Sequence, residues 1–338
     1  MHVLVTGGCG FIGSNFVRYV FDHWPAWRVT VFDSLTYAGN LGNLTGLLDS
    51  ERVRFVHGDI ADPRQVRETL EGTDAVANFA AESHVDRSIL DSGPFIRTNV
   101  VGTQVLLNAA RELGVERFLQ VSTDEVYGSL GPDGTFREDT PLAPNSPYSA
   151  SKAAADLLVR AAVRTYGLRG MVVRSSNAYG PYQFPEKLIP LMILQAAEGK
   201  RLPVYGDGLH VRDWVHVEDL VAAIGLVLQR GQPGDIFNVG GASEMPNLDV
   251  VRMIIEMTGA SESQIELVED RPGHDRRYAM DFSRLEAALG WRPTRSFREG
   301  LRDTIAWYEA HQDWLHAVRT GKYRDFYRQQ YGNRLALP

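Results

Sequence analysis

The stretch Gly7-Gly8-Cys9-Gly10-Phe11-Ile12-Gly13, entered from Met1-His2-Val3-Leu4-Val5-Thr6 and followed by Asp33 twenty residues beyond Gly13, decides the fold of this chain. The six residues before it are a short apolar run rich in β-branched side chains, the pattern of a buried strand. After it, Phe11 to Asp22 carries helical spacing, with Phe11, Ile12, Phe16, Tyr19 and Val20 towards one face. Glycine between a strand and a helix lets the backbone turn tightly and approach a diphosphate. The charge of that group is met by exposed N–H groups and the positive end of the helix dipole. Asp33 closes a second strand, Val29-Thr30-Val31-Phe32. A carboxylate there accepts hydrogen bonds from an adenosine ribose and repels a 2′-phosphate, so the pattern points to NAD rather than NADP. Glycine-rich turns also arise for structural reasons alone, but this one has a strand before it, a helix after it and an acid at the right distance. The spacing of Gly7, Gly10 and Gly13 is G-x-x-G-x-x-G, one residue wider than G-x-G-x-x-G.

Outward from that turn, apolar strands alternate with helical patterns to about residue 175. The strands are Val53-Arg54-Phe55-Val56, Ala75 to Phe79, Arg117 to Val121 and Gly170 to Arg174, and candidate helices include Gly93 to Leu113 and Pro147 to Tyr166. Such alternation predicts an α/β fold, a Rossmann-like doubly wound parallel sheet with helices on both faces. After Gly180, prolines at 181, 185, 190 and 203 punctuate the chain, and short strands such as Asp235 to Val239 mix with helices such as Asn247 to Met257. This predicts a smaller mixed α/β C-terminal substrate lobe. The domains are read as 1–180 for the cofactor, with part of 210–245, Arg212 to Val217 in particular, returning to its sheet, and 181–338 for the lobe.

At 338 residues and 44% hydrophobic, the chain can bury a large core. A net charge of −7 with no long basic run argues against nucleic acid as a partner. The longest apolar segment, Leu220 to Leu228, falls well short of the roughly 20 residues that cross a bilayer. The cofactor strand begins almost at Met1, which leaves no room for a signal peptide, and a cytoplasmic protein is expected. Cys9 is the only cysteine, so neither an internal disulfide nor a cysteine metal cluster is possible, and no metal is expected.

Two further segments turn a cofactor fold into a chemical reading. In Tyr148-Ser149-Ala150-Ser151-Lys152, Ser146 suits an N-cap and Pro147 a first helical position, so Lys152 lies one turn beyond Tyr148 on the same face. An ammonium near a phenol, with the nicotinamide charge also close, stabilises phenolate and is expected to lower the tyrosine pKa from about 10. Tyr148 could then take a hydroxyl proton while hydride leaves the same carbon. The second segment, Val121-Ser122-Thr123-Asp124-Glu125-Val126-Tyr127-Gly128, lies at the carboxyl end of a predicted parallel strand, the edge where such sheets place ligands. Asp124 and Glu125 are adjacent carboxyls. Burial or mutual repulsion can keep one protonated and the other ionised, giving an acid and a base.

The chain resembles the extended short-chain dehydrogenases/reductases and, among them, the dTDP-glucose 4,6-dehydratases. The stretches that carry the resemblance are Gly7 to Gly13, Asp33 to Asn40, Ala80 to Ser88, Thr123 to Gly128, Tyr148 to Lys152, Ser176 to Pro181, Pro185 to Pro190 and Asp270 to Asp275. Together they span residues 1 to about 310. The glycine turn and Y-x-x-x-K are general to the superfamily; Thr-Asp-Glu, SHVDRS and DRPGHD are more specific.

The resemblance implies that Tyr148, supported by Lys152 and Thr123, deprotonates the sugar C4 hydroxyl, that Glu125 removes the C5 proton and that Asp124 protonates the departing C6 hydroxyl. Hydride would go to NAD and return to C6, giving a 4-keto-6-deoxy sugar. It further implies cofactor contacts from Gly7, Gly10, Phe11, Ile12 and Gly13, from Asp33, Ser34, Leu35 and Thr36, from Asp59 and Ile60, from Phe79, Ala80, Ala81 and Ser83, and from Thr98, Tyr148, Lys152 and Ala178. For the nucleotide-sugar it implies Ser83, Thr123, Asn177, Lys187 and Leu188, then Pro203, Val204 and Tyr205, then Arg212, Asn247, Asp270, Arg271 and His274. Lys187, Arg212 and Arg271 suit a second diphosphate. Two positions depart from the family pattern: Ala178 stands where a second asparagine is usual, and Cys9 where a small alanine is usual.

Other readings share parts of this pattern. A nucleotide-sugar 4-epimerase would keep Tyr148 and Lys152 but needs no acid–base pair for elimination. Dehydratases of UDP-, GDP- or CDP-sugars would keep both carboxyls. A non-catalytic NAD-sensing protein would not need the catalytic set. The long helices Gly93–Leu113 and Pro147–Tyr166 offer apolar residues beyond what one sheet face uses, and the resemblance implies a homodimer through a four-helix interface.

Overall fold

A computed structural model describes residues 1–319; the end of the expected C-terminal lobe, 320–338, lies outside the described residues. The strands in chain order begin with β1 (His2–Thr6), β2 (Arg28–Asp33), β3 (Val53–His57), β4 (Ala75–Asn78), β5 (Arg117–Thr123) and β6 (Gly170–Ser175). They continue with β7 (Asn177–Tyr179), β8 (Leu202–Tyr205), β9 (Val211–His216), β10 (Ile236–Val239), β11 (Glu244–Pro246) and β12 (Ile265–Val268).

Seven of these form one parallel sheet in the order β10-β6-β5-β4-β1-β2-β3. Strands β4 and β6 are buried at every position, as expected of a parallel sheet covered on both faces. Side chains alternate across it. Val3 and Val5 join Phe16, Val17 and Val20 of helix Phe11–His23 and Ile224 and Val227 of helix Val217–Arg230. Leu4 faces the other way, into a core with Leu106, Leu107, Phe118 and Val159. The chain winds outwards from β1 through β2 to β3, then returns to β4 on the other side of β1. That reversal opens a crevice at the carboxyl ends of β1 and β4, the place where open α/β sheets bind ligands.

Helix Pro147–Tyr166 starts as its sequence predicts. The Ser146 side chain accepts from Ser149 N–H, Ser149 reciprocates at the Ser146 backbone, and Pro147 takes the first turn; Gly167, at φ +70°, closes the helix in the left-handed region. The expected helix Gly93–Leu113 is interrupted. A turn at Gly93–Phe95 runs into a π-helical stretch, Ile96–Gly102, before regular helix resumes at Thr103–Glu112. Within that stretch the Asn99 side chain accepts from Glu82 N–H at 2.9 Å and donates to the Glu82 carbonyl at 3.0 Å, tying the widened turns to the loop after β4.

The expected return of Arg212–Val217 to the main sheet is corrected. Val211–His216 is β9, the centre of a separate three-stranded sheet between β11 and β7. Helix Val217–Arg230 and strand β10 are what rejoin the main sheet, β10 pairing with β6. Around β9 a second core gathers Leu191, Ile193, Val204, Trp214, Val251, Ile254, Leu301 and Tyr308, and β8 pairs with β12 at its side. No described helix is long and apolar enough to cross a membrane.

Candidate active site

The turn after β1 is shaped by what its glycines exclude. Gly7 sits at φ +65°, and a Cβ there would lie 2.6 Å from the Ala80 nitrogen; at Gly13 it would lie 2.3 Å from the Gly7 carbonyl oxygen. Helix Phe11–His23 has Gly10 at its N-cap and no side-chain cap, so its first N–H groups are left for another acceptor. They open on a cavity of about 570 Å³ that Gly7, Gly10, Phe11, Ile12 and Gly13 line. Asp33 lines it too. Its Oδ2 accepts from Cys9 N–H at 2.9 Å and its Oδ1 from Leu35 N–H at 2.8 Å. Burial raises the Asp33 carboxyl above its usual range, against the pull of those two donors and of His57. An uncapped helix start, glycines a Cβ would clash with and an acid at the end of β2 fit a dinucleotide.

Ser34, Thr36, Asp59, Ile60, Phe79, Ala80, Ala81, Ser83, Thr98, Tyr148, Lys152 and Ala178 line the same cavity. Leu35 does not; at φ +50° it turns its side chain onto the main core. Cys9 is fully buried in that core, its thiol pushed up by burial and by Asp33, and its side chain is accommodated without exposure. The Ala178 carbonyl accepts from Gln183 Nε2 at 2.9 Å.

Across the cavity stands the end of β5. Thr123 Oγ1 accepts from Glu125 N–H at 3.3 Å, starting the short turn Asp124–Tyr127, and it also hydrogen-bonds Asp124 Oδ1, at 3.2 Å, and the Tyr148 phenol. Lys152 Nζ donates to the Val121 carbonyl at 2.6 Å. Thr123, Asp124, Glu125, Tyr148 and Lys152 thus meet in one place.

Their proton affinities differ. Asp124 is pushed well above the carboxylate range by burial and then by Glu125, and its Oδ2 is buried with no hydrogen-bond partner. Glu125 is also raised by burial, but Arg271, Lys187 and Arg212 all pull it back. The pair is therefore unequal, with Asp124 the better proton holder. Lys152 is lowered to about 8 by burial, opposed by Asp156. The expected lowering of Tyr148 is corrected for the protein's own groups: burial, then Glu125, push the phenol up, and Asp124 adds to them. The reading from the sequence placed an ammonium beside the phenol without the two carboxylates that face it.

The residues expected for the nucleotide-sugar divide into two groups. Ser83, Thr123, Asn177 and Lys187 line the cavity, with Lys187 Nζ donating to the Ser83 carbonyl at 2.8 Å. Outside the lining, Tyr205 donates to Asp86 at 3.2 Å, and Arg271 Nη1 lies 3.8 Å from the same carboxylate. Arg212 donates to the Asp275 carbonyl at 2.9 Å and lies 4.2 Å over the Tyr278 ring. His274 Nδ1 is 2.6 Å from Asp270, and its ring stacks on His210 at 3.7 Å. Asn247 N–H donates to the His210 carbonyl. Leu188 opens helix Leu188–Ala197, while Pro203 and Val204 lie in β8, Val204 buried in the second core. Asn177 Oδ1, Asn247 Oδ1 and Arg271 Nε are buried without hydrogen-bond partners, as is Asp124 Oδ2.

Several cavity residues carry no assignment from the sequence. Glu82, Arg97 and Glu186 line it. Glu186 accepts from Tyr37 at 3.0 Å and pairs with Arg87 at 3.3 Å, and Arg87 lies 3.9 Å over the Tyr37 ring. Tyr37, Glu82, Arg87 and Glu186 stand inside the stretches that carried the resemblance and Arg97 outside them, but partners ninety-nine positions apart meet only through the fold.

A doubly wound sheet with Y-x-x-x-K and an acidic pair at one strand end defines an extended short-chain dehydrogenase/reductase. The model of the GDP-mannose 4,6-dehydratase family matches residues 4–304, and the chain belongs to this family. It is 54% identical over 308 residues to the low-salt glycan biosynthesis protein Agl12 of Haloferax volcanii, covering 91% of this chain and 98% of that one. It is 52% identical over 341 residues to a dTDP-glucose 4,6-dehydratase of Xanthomonas campestris pv. campestris, covering 95% and 97%. Among solved structures it superposes on the dTDP-glucose 4,6-dehydratase DesIV of Streptomyces venezuelae, determined with NAD and dTDP bound. That match has a TM-score of 0.93 and 49% identity over 94% of this chain and all of that one.

Proposed function

We propose that the chain is an NAD-dependent dTDP-glucose 4,6-dehydratase, a lyase converting dTDP-glucose to dTDP-4-keto-6-deoxyglucose. NAD, held by the Gly7–Gly13 turn, Asp33 and the cavity residues beyond them, supplies the hydride acceptor for C4 and the hydride donor for C6. Tyr148, hydrogen-bonded by Thr123 and supported by Lys152, takes the proton of the C4 hydroxyl. With C4 a ketone, the C5 proton is acidic, and Glu125 removes it. Asp124 gives its proton to the C6 hydroxyl, which leaves as water. Lys187, Arg212 and Arg271 meet the diphosphate of the substrate.

The observation that carries this reading is the unequal carboxyl pair Asp124–Glu125 in one cavity with Tyr148 and Lys152. Epimerisation at C4 has no use for such a pair, and a cofactor sensor has none for the whole set. The test is incubation of the purified protein with dTDP-glucose and, separately, with GDP-mannose and UDP-glucose, reading product mass. Loss of one water from dTDP-glucose in preference to the others is expected. An inverted sugar of unchanged mass, or no product, overturns the reading.

A homodimer through helices 93–113 and 147–166 fits the same reading, supported by Ile96, Val101 and Leu157, which those helices leave exposed. Light scattering that gives a monomer at micromolar concentration would remove it. The cytoplasm is the location we assign.

A further inference from the structure

Beneath the Tyr148–Lys152 pair, the same helix face carries a third ionisable residue that the proposed reaction does not use. Tyr148, Lys152 and Asp156 stand four residues apart along Pro147–Tyr166, so they share one face, and all three are buried. Arg174, from β6, donates through Nε to Asp156 Oδ2 at 2.8 Å, a pair almost wholly out of water. The other arm of Arg174 donates to the Tyr127 hydroxyl at 2.9 Å, and that hydroxyl donates to Asn238 Oδ1 at 2.7 Å. Asn238 is itself held by Glu138 and by the Phe136 carbonyl. Asp156 is thus clamped through one oxygen, while Oδ1 is buried and accepts no hydrogen bond.

The groups that face this carboxylate come from three elements. Arg174 lies on β6, the Ser122 hydroxyl on β5 and Lys152 on its own helix. Burial drives the Lys152 ammonium down to about 8, and the Asp156 charge opposes it. Lys152 has three N–H donors, of which one is spent on the Val121 carbonyl.

We infer that Asp156 is a positioning residue of this site: clamped by Arg174, its carboxylate keeps the buried Lys152 charged at the end of β5, where Tyr148 acts. The inference rests on the proposed role of the Tyr148–Lys152 pair. Asp156 does not line the cavity; its charge bears on Lys152 and, as the last of several groups, on the Tyr148 phenol.

The test is the pH dependence of C4 oxidation in the full chain with NAD and dTDP-glucose, followed as the first rise of bound NADH in a stopped-flow trace. In Asp156→Asn, Lys152 loses its proton at lower pH. The alkaline limb of the profile moves down by about one unit, so the rate falls about tenfold near that limb and recovers towards wild type in more acidic buffer. Asp156→Glu restores the limb. Since Asp156→Asn leaves Arg174 buried beside an amide, the double variant Asp156→Asn/Arg174→Gln, which replaces the ion pair by two amides, carries the same expectation. Circular dichroism and NAD content check the folding of each. Folded variants that lose a constant factor at every pH, or lose nothing, overturn the inference and leave the carboxylate a tether between helix and sheet. Lys152→Met, run alongside, separates the two claims. If it turns over like wild type, the pair's role fails and the inference with it; if it is inactive while the Asp156 limb stays put, the inference fails alone.

Discussion

The two ends of the proposed site are built by different physics. At the β1 end, recognition is made of backbone and shape: an uncapped helix start, Gly7 and Gly13 where a Cβ would clash, and one acid, all within residues 7–33. The proposed sugar end, running from the cavity past its lining, is made of charged side chains from distant segments, with Lys187, Arg212 and Arg271 set among Asp86, Glu125 and Glu186. The first arrangement is sensitive to volume, the second to charge. The proposed catalytic residues sit where the two meet, which gives the contrast its sharpest test.

At the junction, Tyr148→Phe removes the proposed base while leaving both ends intact. Turnover is expected to fall by about 10²–10⁴, with NAD and dTDP-glucose still bound and no NADH formed. Near wild-type turnover would mean that another group starts the reaction. At the shape-built end, Gly13→Ala forces a methyl against the Gly7 carbonyl, which must shift the turn by a good part of an ångström. Displacement on that scale costs about 10² in rate. We expect NAD lost on purification and a weak nucleotide-sugar site left in place, measured by calorimetry with dTDP; a Gly13→Ala protein that retains full NAD would show that shape does not govern this end.

The same contrast explains what the sequence makes legible. The β1 turn, Asp33 and the Ser146-capped helix are local devices, each made by residues within a few turns of one another, and they stand as their spacing predicts. Arg212–Val217 pairs elsewhere because strand-like spacing shows that a segment is extended but not which sheet takes it. The π-helical stretch Ile96–Gly102 holds Asn99 bonded to Glu82, seventeen residues away, a contact that helical periodicity cannot register. The Tyr148 shift took the wrong direction for a related reason. Lys152 is a neighbour by spacing, whereas Glu125 reaches the phenol only through the fold.

At the charge-built end, Arg271→Met is expected to raise KM for dTDP-glucose about thirtyfold, the lower range for truncating a buried charged contact. It also changes the pH profile. Arg271 is the first charge that pulls Glu125 down against burial, so its loss raises the Glu125 pKa further. A base with a higher pKa stays protonated to higher pH, and the acid limb of C5 proton exchange therefore moves upwards. Deuterium incorporation at C5, followed by mass spectrometry across pH, checks the direction. A limb that moves down, or a KM that does not change, would sever Arg271 from both Glu125 and the substrate.

The smallest effect is expected where shape and charge overlap, at Asp33. Its two oxygens each hold a backbone N–H, from Cys9 and Leu35, so the carboxylate supports the turn as well as facing the cavity. Asp33→Asn keeps one acceptor and turns an NH₂ towards the other donor, which weakens the turn and lowers NAD affinity a few-fold. It also removes the negative charge that would oppose a 2′-phosphate. At a separation of about 4 Å, two charges in a partly solvated site interact by about 1–4 kcal/mol, and the lower half of that range corresponds to roughly tenfold in affinity. The ratio of NAD to NADP affinity should therefore narrow by about tenfold, through both a loss for NAD and a gain for NADP. Calorimetric titration of the two dinucleotides into the same variant separates these contributions. If NAD weakens and NADP gains nothing, Asp33 acts only as a brace for the glycine turn, and preference for NAD has to come from elsewhere in the lining. A gain for NADP would show that the shape-built end owes its selectivity to one charge.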